Sequence, residues 1–195
     1  MKFEKISKRQ YMKDIVGKFP IAYNDIKLPK RGTAQSAGYD FFALADITLL
    51  PGESIKLPTG IKFKCDSDKF LAAYPRSGHG FKHGIALANT VGIIDADYYN
   101  NPGNEGHIWV KLTYPQQASI SVDPFVIKQG DAIFQGIIQS YFTVEDDDTT
   151  AERVGGFGST SQKEPSCSNG KCYSTEEQHC VGPCRSEGIN VTEGV

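Results

Sequence analysis

Short stretches of alternating apolar and polar residues dominate the chain from about residue 20 to residue 143. Such alternation places every second side chain on one face of a β-strand, as in residues 61–65 and residues 108–112. Glycine and proline supply turns between these stretches, for example at residues 51–52 and 58–60. No sustained helical period is present apart from a short segment around residues 11–16. The sequence therefore predicts an all-β sandwich or barrel.

Length and charge limit the functions open to the chain. Its 195 residues suit one domain plus an appendage. The formal net charge of −2 creates no basic field for nucleic acid or for an anionic membrane, and we expect neither as a partner. The charged N-terminus does not resemble a signal peptide, and no apolar run approaches the ~20 residues that a membrane helix needs. A cytoplasmic location is expected.

The composition changes after residue 143. Residues 145–148 form an acidic run, most simply a solvated linker, and a glycine-rich segment follows it. Residues 162–195 are polar and contain few side chains to bury. We therefore predict three regions: a β domain at residues 1–143, an acidic linker with a glycine-rich arm at 144–161, and a cysteine-containing tail at 162–195. The tail is expected to be disordered or ordered by a metal.

Residues 75–98 hold the first candidate site. Arg76, Ser77 and Gly78 offer a guanidinium, a hydroxyl and close backbone approach, which together suit a phosphate. Further along, Asp95 and Tyr98 provide a candidate general base and a stacking ring. Taken alone, this block is better explained as two ordinary turns between buried strands.

Three other segments also place a polar or aromatic side chain beside a glycine-containing turn. Residues 36–40 form a small-residue turn that ends in Asp40, and residues 130–135 form a turn that leads into a strand containing Gln135. Residues 155–160 surround Phe157 with glycines, whose backbone freedom is costly in a core. A mobile arm that lays this ring on a planar base explains the pattern, while a plain glycine-rich linker is the alternative.

In order and spacing, these five segments resemble the homotrimeric dUTPase family (dUTP nucleotidohydrolases). The motifs read A-G-Y-D, P-R-S-G, N-x-V-G-I-I-D-A-D-Y, G-D-x-I-x-Q and R-x-G-G-F-G-S-T, within about residues 20–161. Each motif is weak alone, but the collinear set is specific. The insertion at residues 99–106 is similar to the variant of some Firmicutes and their phages. A phage-encoded member would act in the host cytoplasm.

The resemblance implies a fold, a reaction and an assembly. The fold would be a dUTPase-like β jelly roll of the β-clip type with a flexible C-terminal arm. Members are homotrimers that build three sites at subunit interfaces and hydrolyse dUTP to dUMP and pyrophosphate with Mg²⁺. Asp95 would activate the water that attacks the α-phosphate, and Asp40 would hold Mg²⁺ through water.

The resemblance also implies a set of substrate-binding residues. Tyr98 would pack beneath the deoxyribose, the hairpin at about residues 86–97 would read uracil, and Phe157 would stack on the base. The full set is Arg76, Ser77, Gly78, Asn89, Gly92, Tyr98, Gln135, Arg153, Phe157, Gly158, Ser159 and Thr160. The chain departs from the common pattern at residues 79–80, at residues 99–100, and in the shorter spacing between Arg153 and Phe157.

The tail lies outside the resemblance. Its four cysteines could surround Zn²⁺, although their spacings differ from the usual C-x2-C pairs, and an unstructured thiol-bearing tail is the alternative. They are Cys167, Cys172, Cys180 and Cys184. The tail could also recruit a regulatory protein.

Two other functions remain open at this point. A dCTP deaminase of the same fold relies on a catalytic glutamate in the hairpin, whereas this chain has Asp95 there and no glutamate between Lys69 and Asn104. A dUTPase-like binding module would recruit a partner without turnover. The complete set of catalytic residue types favours the hydrolase.

Overall fold

The computed structural model describes residues 1–116 and 123–153 and, near the C-terminus, the backbone of three short strands. The chain divides into two compact units, Met1–Phe157 and Gly158–Val195. The strands of the first unit are β1 (Lys2–Lys5), β2 (Lys30–Arg31), β3 (Tyr39–Phe42), β4 (Ile47–Leu49), β5 (Ser54–Pro58), β6 (Ile61–Lys64), β7 (Lys69–Pro75), β8 (Ala86–Leu87), β9 (Gly92–Ile94), β10 (Trp109–Thr113), β11 (Phe125–Ile127) and β12 (Ala132–Ser140). Its helices are α1 (Lys8–Asp14) and α2 (Ser77–His83), with 3₁₀ turns at Tyr23–Asp25 and Ala96–Tyr98.

Antiparallel sheets make up the first unit, which confirms the predicted all-β class. The largest sheet has the strand order β2-β3-β12-β7-β9, and a three-stranded sheet has the order β5-β10-β8. Two-stranded sheets join β1 to β6 and β11 to β4. Among the described residues, no helix is long and apolar enough to cross a membrane.

The core lies where inward-facing side chains of the sheets meet. Phe41 on β3 and Phe134 on β12 are fully buried and stack with ring centres 4.4 Å apart. Leu71 and Ala73 on β7 are also fully buried. Each buried Phe or Leu contributes about 2 kcal/mol through removal of apolar surface from water. The core therefore fixes β3, β12 and β7 side by side.

The two α-helices differ from the sequence expectation. The helix expected around residues 11–16 is α1, which begins earlier because the Ser7 hydroxyl accepts the amide of Gln10 as an N-cap. The helix α2 was not expected, because Gly78 and Gly80 disfavour helix. The rings of His79 and His83 each lie 5.1 Å from the ring of Phe125, and this packing holds α2 on the domain.

The register of the largest sheet separates two groups of site residues. Gln135 on β12 lies opposite Asp40 on β3 and opposite Tyr74 near the end of β7, and Arg76 follows that end. In contrast, β9 pairs Ile94 with Leu71, so Asp95 lies beside the beginning of β7. At about 3.3 Å per residue, the backbones of Arg76 and Asp95 are roughly 20 Å apart along the strand.

The second unit contains β13 (Ser166–Ser168), β14 (Lys171–Tyr173) and β15 (Cys180–Pro183). These strands form one antiparallel sheet in that order, and Cys167 pairs directly with Cys172.

Candidate active site

A carboxylate, a guanidinium and an amide meet at the end of β7. Asp40 Oδ1 lies 3.2 Å from Arg76 Nε, and Gln135 Nε2 donates to the carbonyl of Pro75 over 3.1 Å. We call these three side chains, Asp40, Arg76 and Gln135, the phosphate-side cluster, because Arg76 and Gln135 present N–H donors suited to anions. The cluster combines residues of the first, second and fourth sequence motifs.

The turns around this cluster leave space in front of it. Gly38 lies against Gln135, and a methyl group on Gly38 would overlap with Gln135 Oε1. Ser77 and Gly78 begin α2 and are exposed, and a methyl group on Gly78 would meet nothing within 4 Å. The small residues of the first two motifs therefore permit close approach of a ligand to the Arg76 region.

His79 takes the place of an apolar residue in α2. Burial, followed by the nearby positive charge of Arg76, lowers the pKa of His79, so its ring is neutral at pH 7. The ring packs against Phe125, with the two ring centres 5.1 Å apart. His79 thus acts here as a packing residue.

A second group of charged side chains lies at the opposite end of β7. Arg153 Nη2 donates to Asp95 Oδ2 over 2.6 Å, and Arg153 Nε donates to Asp97 Oδ1 over 2.8 Å. The guanidinium also lies 5.7 Å from the ring centre of Tyr98. We call Asp95, Asp97, Tyr98 and Arg153 the base-side cluster. The Asp95 side chain remains 47% exposed, whereas the Arg153 side chain is only 13% exposed.

An open cavity of about 740 Å³ adjoins the base-side cluster. Asp95, Asp97 and Arg153 form its charged part, and its apolar part is lined by Phe70, Ile93 and Tyr141. This volume is within the range of small-molecule sites. Cys65 also lines the cavity, but burial raises the pKa of its thiol, which therefore stays protonated at neutral pH.

The segment predicted as a uracil-reading hairpin is a loop between two sheets, because β8 pairs with β10 and β9 pairs with β7. Its turn is held by backbone bonds from Thr90 to Leu87 (2.9 Å) and from Val91 to Asn89 (2.6 Å). Thr90 adopts a left-handed conformation with φ of 63°. Asn89 is exposed, and Gly92 follows where β9 begins. The loop between β8 and β9 thus presents backbone groups in a fixed arrangement.

Asn104 is a site residue that the sequence reasoning missed. Its Nδ2 donates to Tyr98 Oη over 2.8 Å, while Tyr98 Oη donates to the carbonyl of His107 over 3.1 Å. The asparagine- and glycine-rich insertion at residues 99–106 was the available signal, but nothing in its spacing pointed to the Tyr98 hydroxyl.

Some predicted site residues lie outside the described part of the chain. They are Phe157, Gly158, Ser159, Thr160 and Cys184. For Cys167, Cys172 and Cys180 only the backbone is described.

Comparisons with known proteins identify the family. A sequence model of the dUTPase family matches residues 24–161. The deoxyuridine 5'-triphosphate nucleotidohydrolase of Lactococcus lactis is 40% identical over 137 residues, which is 69% of this chain and 88% of the relative. The chain therefore belongs to the dUTPase family.

Solved structures agree with this assignment. The dUTPase from Streptococcus mutans has a TM-score of 0.58 and 30% identity, with 74% of this chain and 99% of that chain covered. The D95N mutant dUTPase of phage phi11 of S. aureus, whose structure describes a structural Mg(II) ion, has a TM-score of 0.53 and 18% identity, with coverages of 77% and 96%. The fold is the jelly-roll β fold of the dUTPases, as predicted.

Proposed function

We propose that this protein hydrolyses dUTP to dUMP and pyrophosphate at sites that two or more subunits build together. One observation carries this proposal. The chain is a member of the dUTPase family, and it places an anion-binding cluster at one end of β7 and the accessible carboxylate of Asp95 at the other end. Neither cluster alone contains the groups needed to hold and cleave a triphosphate.

Asp95 is the proposed general base. Attack of water at the α-phosphorus needs a positioned proton acceptor and neutralisation of phosphate charge, with little covalent chemistry from the protein. Asp95 follows β9 at the edge of an open cavity and keeps about half of its side chain accessible. It can therefore accept a proton from a water that approaches from the cavity.

Arg153 links the base to the substrate. It binds Asp95 and Asp97, and a guanidinium binds phosphate oxygens equally well. A triphosphate at this site would compete for Arg153 and leave Asp95 free to accept a proton. Phe157, Gly158, Ser159 and Thr160 follow Arg153, and we propose that they close over the base and the phosphates.

The phosphate-side cluster fits a magnesium triphosphate. Arg76, Ser77 and Gly78 would bind phosphate oxygens, and Gln135 would reach the α-phosphate. Asp40 is a carboxylate beside this anion site, which suits an ion that keeps much of its hydration, so Asp40 would hold Mg²⁺ through water. When bound, Mg²⁺ neutralises the phosphate charge.

The loop between β8 and β9 would set the specificity for deoxyuridine together with Tyr98. Its turn around Asn89 and Gly92 would offer backbone donors and acceptors to the edge of uracil, and a narrow fit there would exclude a thymine methyl. A cytosine would leave a buried donor unpaired, which costs about 1–3 kcal/mol. Tyr98 beneath the sugar would exclude a 2′-hydroxyl.

A second subunit is needed to complete each site. The two clusters are roughly 20 Å apart along β7, too far for side chains of one chain to hold the same phosphorus. Ile93 and Tyr141 line the cavity and are exposed in a single chain, as is the neighbouring Phe142. We propose that another copy covers this apolar surface, in a homotrimer.

The tail is proposed to bind zinc. The hairpin of β13 and β14 places Cys167 opposite Cys172, and Cys180 begins β15, so the backbone brings three of the four cysteines into one small sheet. Metal analysis of the purified protein should find zinc near one per chain, with the tail thiols protected from modification. No zinc and freely reactive thiols would exclude this role and leave a tail available to a regulatory protein.

A nucleotide assay tests the proposed activity. The protein is incubated with Mg²⁺ and each deoxynucleoside triphosphate, and pyrophosphate and ammonia are measured. We expect pyrophosphate from dUTP alone. Ammonia from dCTP would indicate a deaminase, and binding of dUTP without turnover would indicate a binding module; either result would contradict the proposal.

A further inference from the structure

The hydroxyl of Tyr98 is held by residues that lie outside the family motifs. Tyr98 is 6% exposed. Its Oη accepts from Asn104 Nδ2 over 2.8 Å and donates to the carbonyl of His107 over 3.1 Å. Burial raises the pKa of Tyr98, so the phenol is neutral and keeps its proton for the bond to His107. Both bonds fix the direction of the ring.

Asn101 fixes the orientation of Asn104. The Asn101 Nδ2 donates to the Tyr98 carbonyl and to Asn104 Oδ1, both over 2.8 Å. The Asn101 Oδ1 accepts the amides of Gly103 and Asn104, at 3.0 and 3.1 Å. Asn104 Oδ1 also accepts the amide of Gly106 over 3.1 Å, so only its NH₂ group can face Tyr98. Gly106 has φ of 77°, and a methyl group there would overlap with the Tyr98 carbonyl.

The same loop is bonded to α1. The carboxylate of Glu105 accepts the amide of Ser7 over 2.9 Å and also its hydroxyl. The buried His107 accepts the amide of Gly60 at Nε2 over 2.9 Å, and its Nδ1 lies 2.6 Å from Asp14 Oδ2 and 3.0 Å from Trp109 Nε1. Ser7 and Asp14 both precede residue 24, where the match to the dUTPase family begins.

From these contacts we propose that Asn104 is a positioning residue that holds Tyr98 against the sugar. The loop of residues 101–107 anchors Asn104 to α1, and the fixed ring of Tyr98 sets the preference for deoxyribose over ribose. This inference depends on the proposed function, in which Tyr98 packs beneath the deoxyribose. Exclusion of a 2′-hydroxyl requires that the ring cannot retreat, because a small displacement is enough to admit one oxygen. The hydrogen bond from Asn104 to the Tyr98 hydroxyl prevents this displacement of the ring.

The test is the ratio of kcat/KM for dUTP to kcat/KM for UTP. In Asn104→Ala we expect this ratio to fall about tenfold or more, because the Tyr98 hydroxyl loses the bond from Asn104. The kcat for dUTP should change by only a few-fold, because Asp95 is untouched. Asn24→Ala, at an exposed asparagine of the N-terminal region, is the matched control and should keep the wild-type ratio.

A double variant separates positioning from general stability. Tyr98→Phe removes the hydroxyl through which Asn104 acts, so adding Asn104→Ala to it should lower the ratio no further. Asn104→Asp keeps the shape but not the donor, and replaces Asn104→Ala in this cycle if that variant does not fold. An active variant with a lowered Tm and an unchanged ratio would overturn the inference. Failure of the wild type to hydrolyse dUTP would instead overturn the proposed function.

Discussion

At the scale of single residues, Gly38 explains why a small-residue turn precedes Asp40. Its α-carbon lies against Gln135, which β12 places directly opposite Asp40. The sequence showed a turn and a strand amide separately, about a hundred residues apart, and the strand register brings them into contact. The residue types were predictable, but their pairing depended on long-range strand order that no local pattern encodes.

Gly38→Ala should therefore impair the site more than the fold. The added methyl group would displace the Gln135 amide, whereas the backbone at this turn tolerates alanine, since Gly38 does not have a positive φ. We expect the free energy of unfolding to change by less than about 1 kcal/mol and kcat/KM for dUTP to fall by about tenfold or more. Gly78→Ala, where a methyl group meets nothing within 4 Å, is the steric control for folding in urea titrations. A Gly38→Ala enzyme with full activity would contradict this role of Gln135.

Asp95→Asn tests the assignment of the base. The amide keeps the shape of the side chain but cannot take a proton, so turnover should fall by about two orders of magnitude or more while dUTP binding is retained. Single-turnover kinetics and calorimetric titration measure the two quantities. Asp97→Asn, two residues away and also bonded to Arg153, should stay within a few-fold of wild type. The assignment fails if Asp97→Asn is the inactive variant, or if Asp95→Asn turns over normally.

At the scale of elements, alternation predicted the strands and missed α2 and the contacts of the insertion. Strands β6 and β10 lie within one residue of the predicted segments. The helix α2 contains two glycines and depends on the packing of His79 and His83 against Phe125, which propensity does not reveal. The insertion gave only a composition signal, because its bonds to Tyr98 and α1 join distant parts of the chain.

The contact between α1 and His107 predicts a loss of stability in mild acid. Burial lowers the pKa of His107, and the positive charge of Lys56 lowers it further. The carboxylates of Asp14 and Glu105 raise this pKa but do not outweigh burial, so the folded ring is neutral. In the unfolded chain this histidine binds a proton as the pH falls through about 6.5, whereas in the folded protein it does so only at a lower pH. Between these two pH values the unfolded state binds more protons, so the free energy of unfolding decreases as the pH falls. We expect a loss of up to about 1.4 kcal/mol per pH unit below pH 6.5 from this group.

Urea unfolding of His107→Gln at about pH 7.5 and about pH 5.5 checks this expectation. Glutamine can still accept from Gly60 and donate to Asp14 but cannot titrate, so the variant should lose less stability than wild type between these values. An identical pH dependence in wild type and His107→Gln would show that His107 does not carry this loss.

At the scale of the whole molecule, the central claim is that one active site takes residues from different subunits. The phosphate-side cluster and the base-side cluster flank the same strand but at opposite ends. Sequence motifs could not show this separation, because their collinear order is the same whether they meet within a chain or between chains. The register of β9 against β7 supports the proposed arrangement between chains, because it separates Asp95 from Arg76 along β7.

Mixing two inactive variants tests this claim most directly. Arg76→Ala and Asp95→Asn chains carrying different tags are co-expressed in equal amounts, and mixed oligomers are purified through both tags. If a site takes Arg76 from one subunit and Asp95 from another, one of the three sites in every mixed trimer that carries both tags should be complete. Co-expression of Asp95→Asn with Asp95→Ala, which can build no complete site, is the control. Recovery of a substantial fraction of wild-type dUTP hydrolysis in the first mixture alone is the predicted result. Mixed oligomers with no more activity than either parent would contradict the shared site.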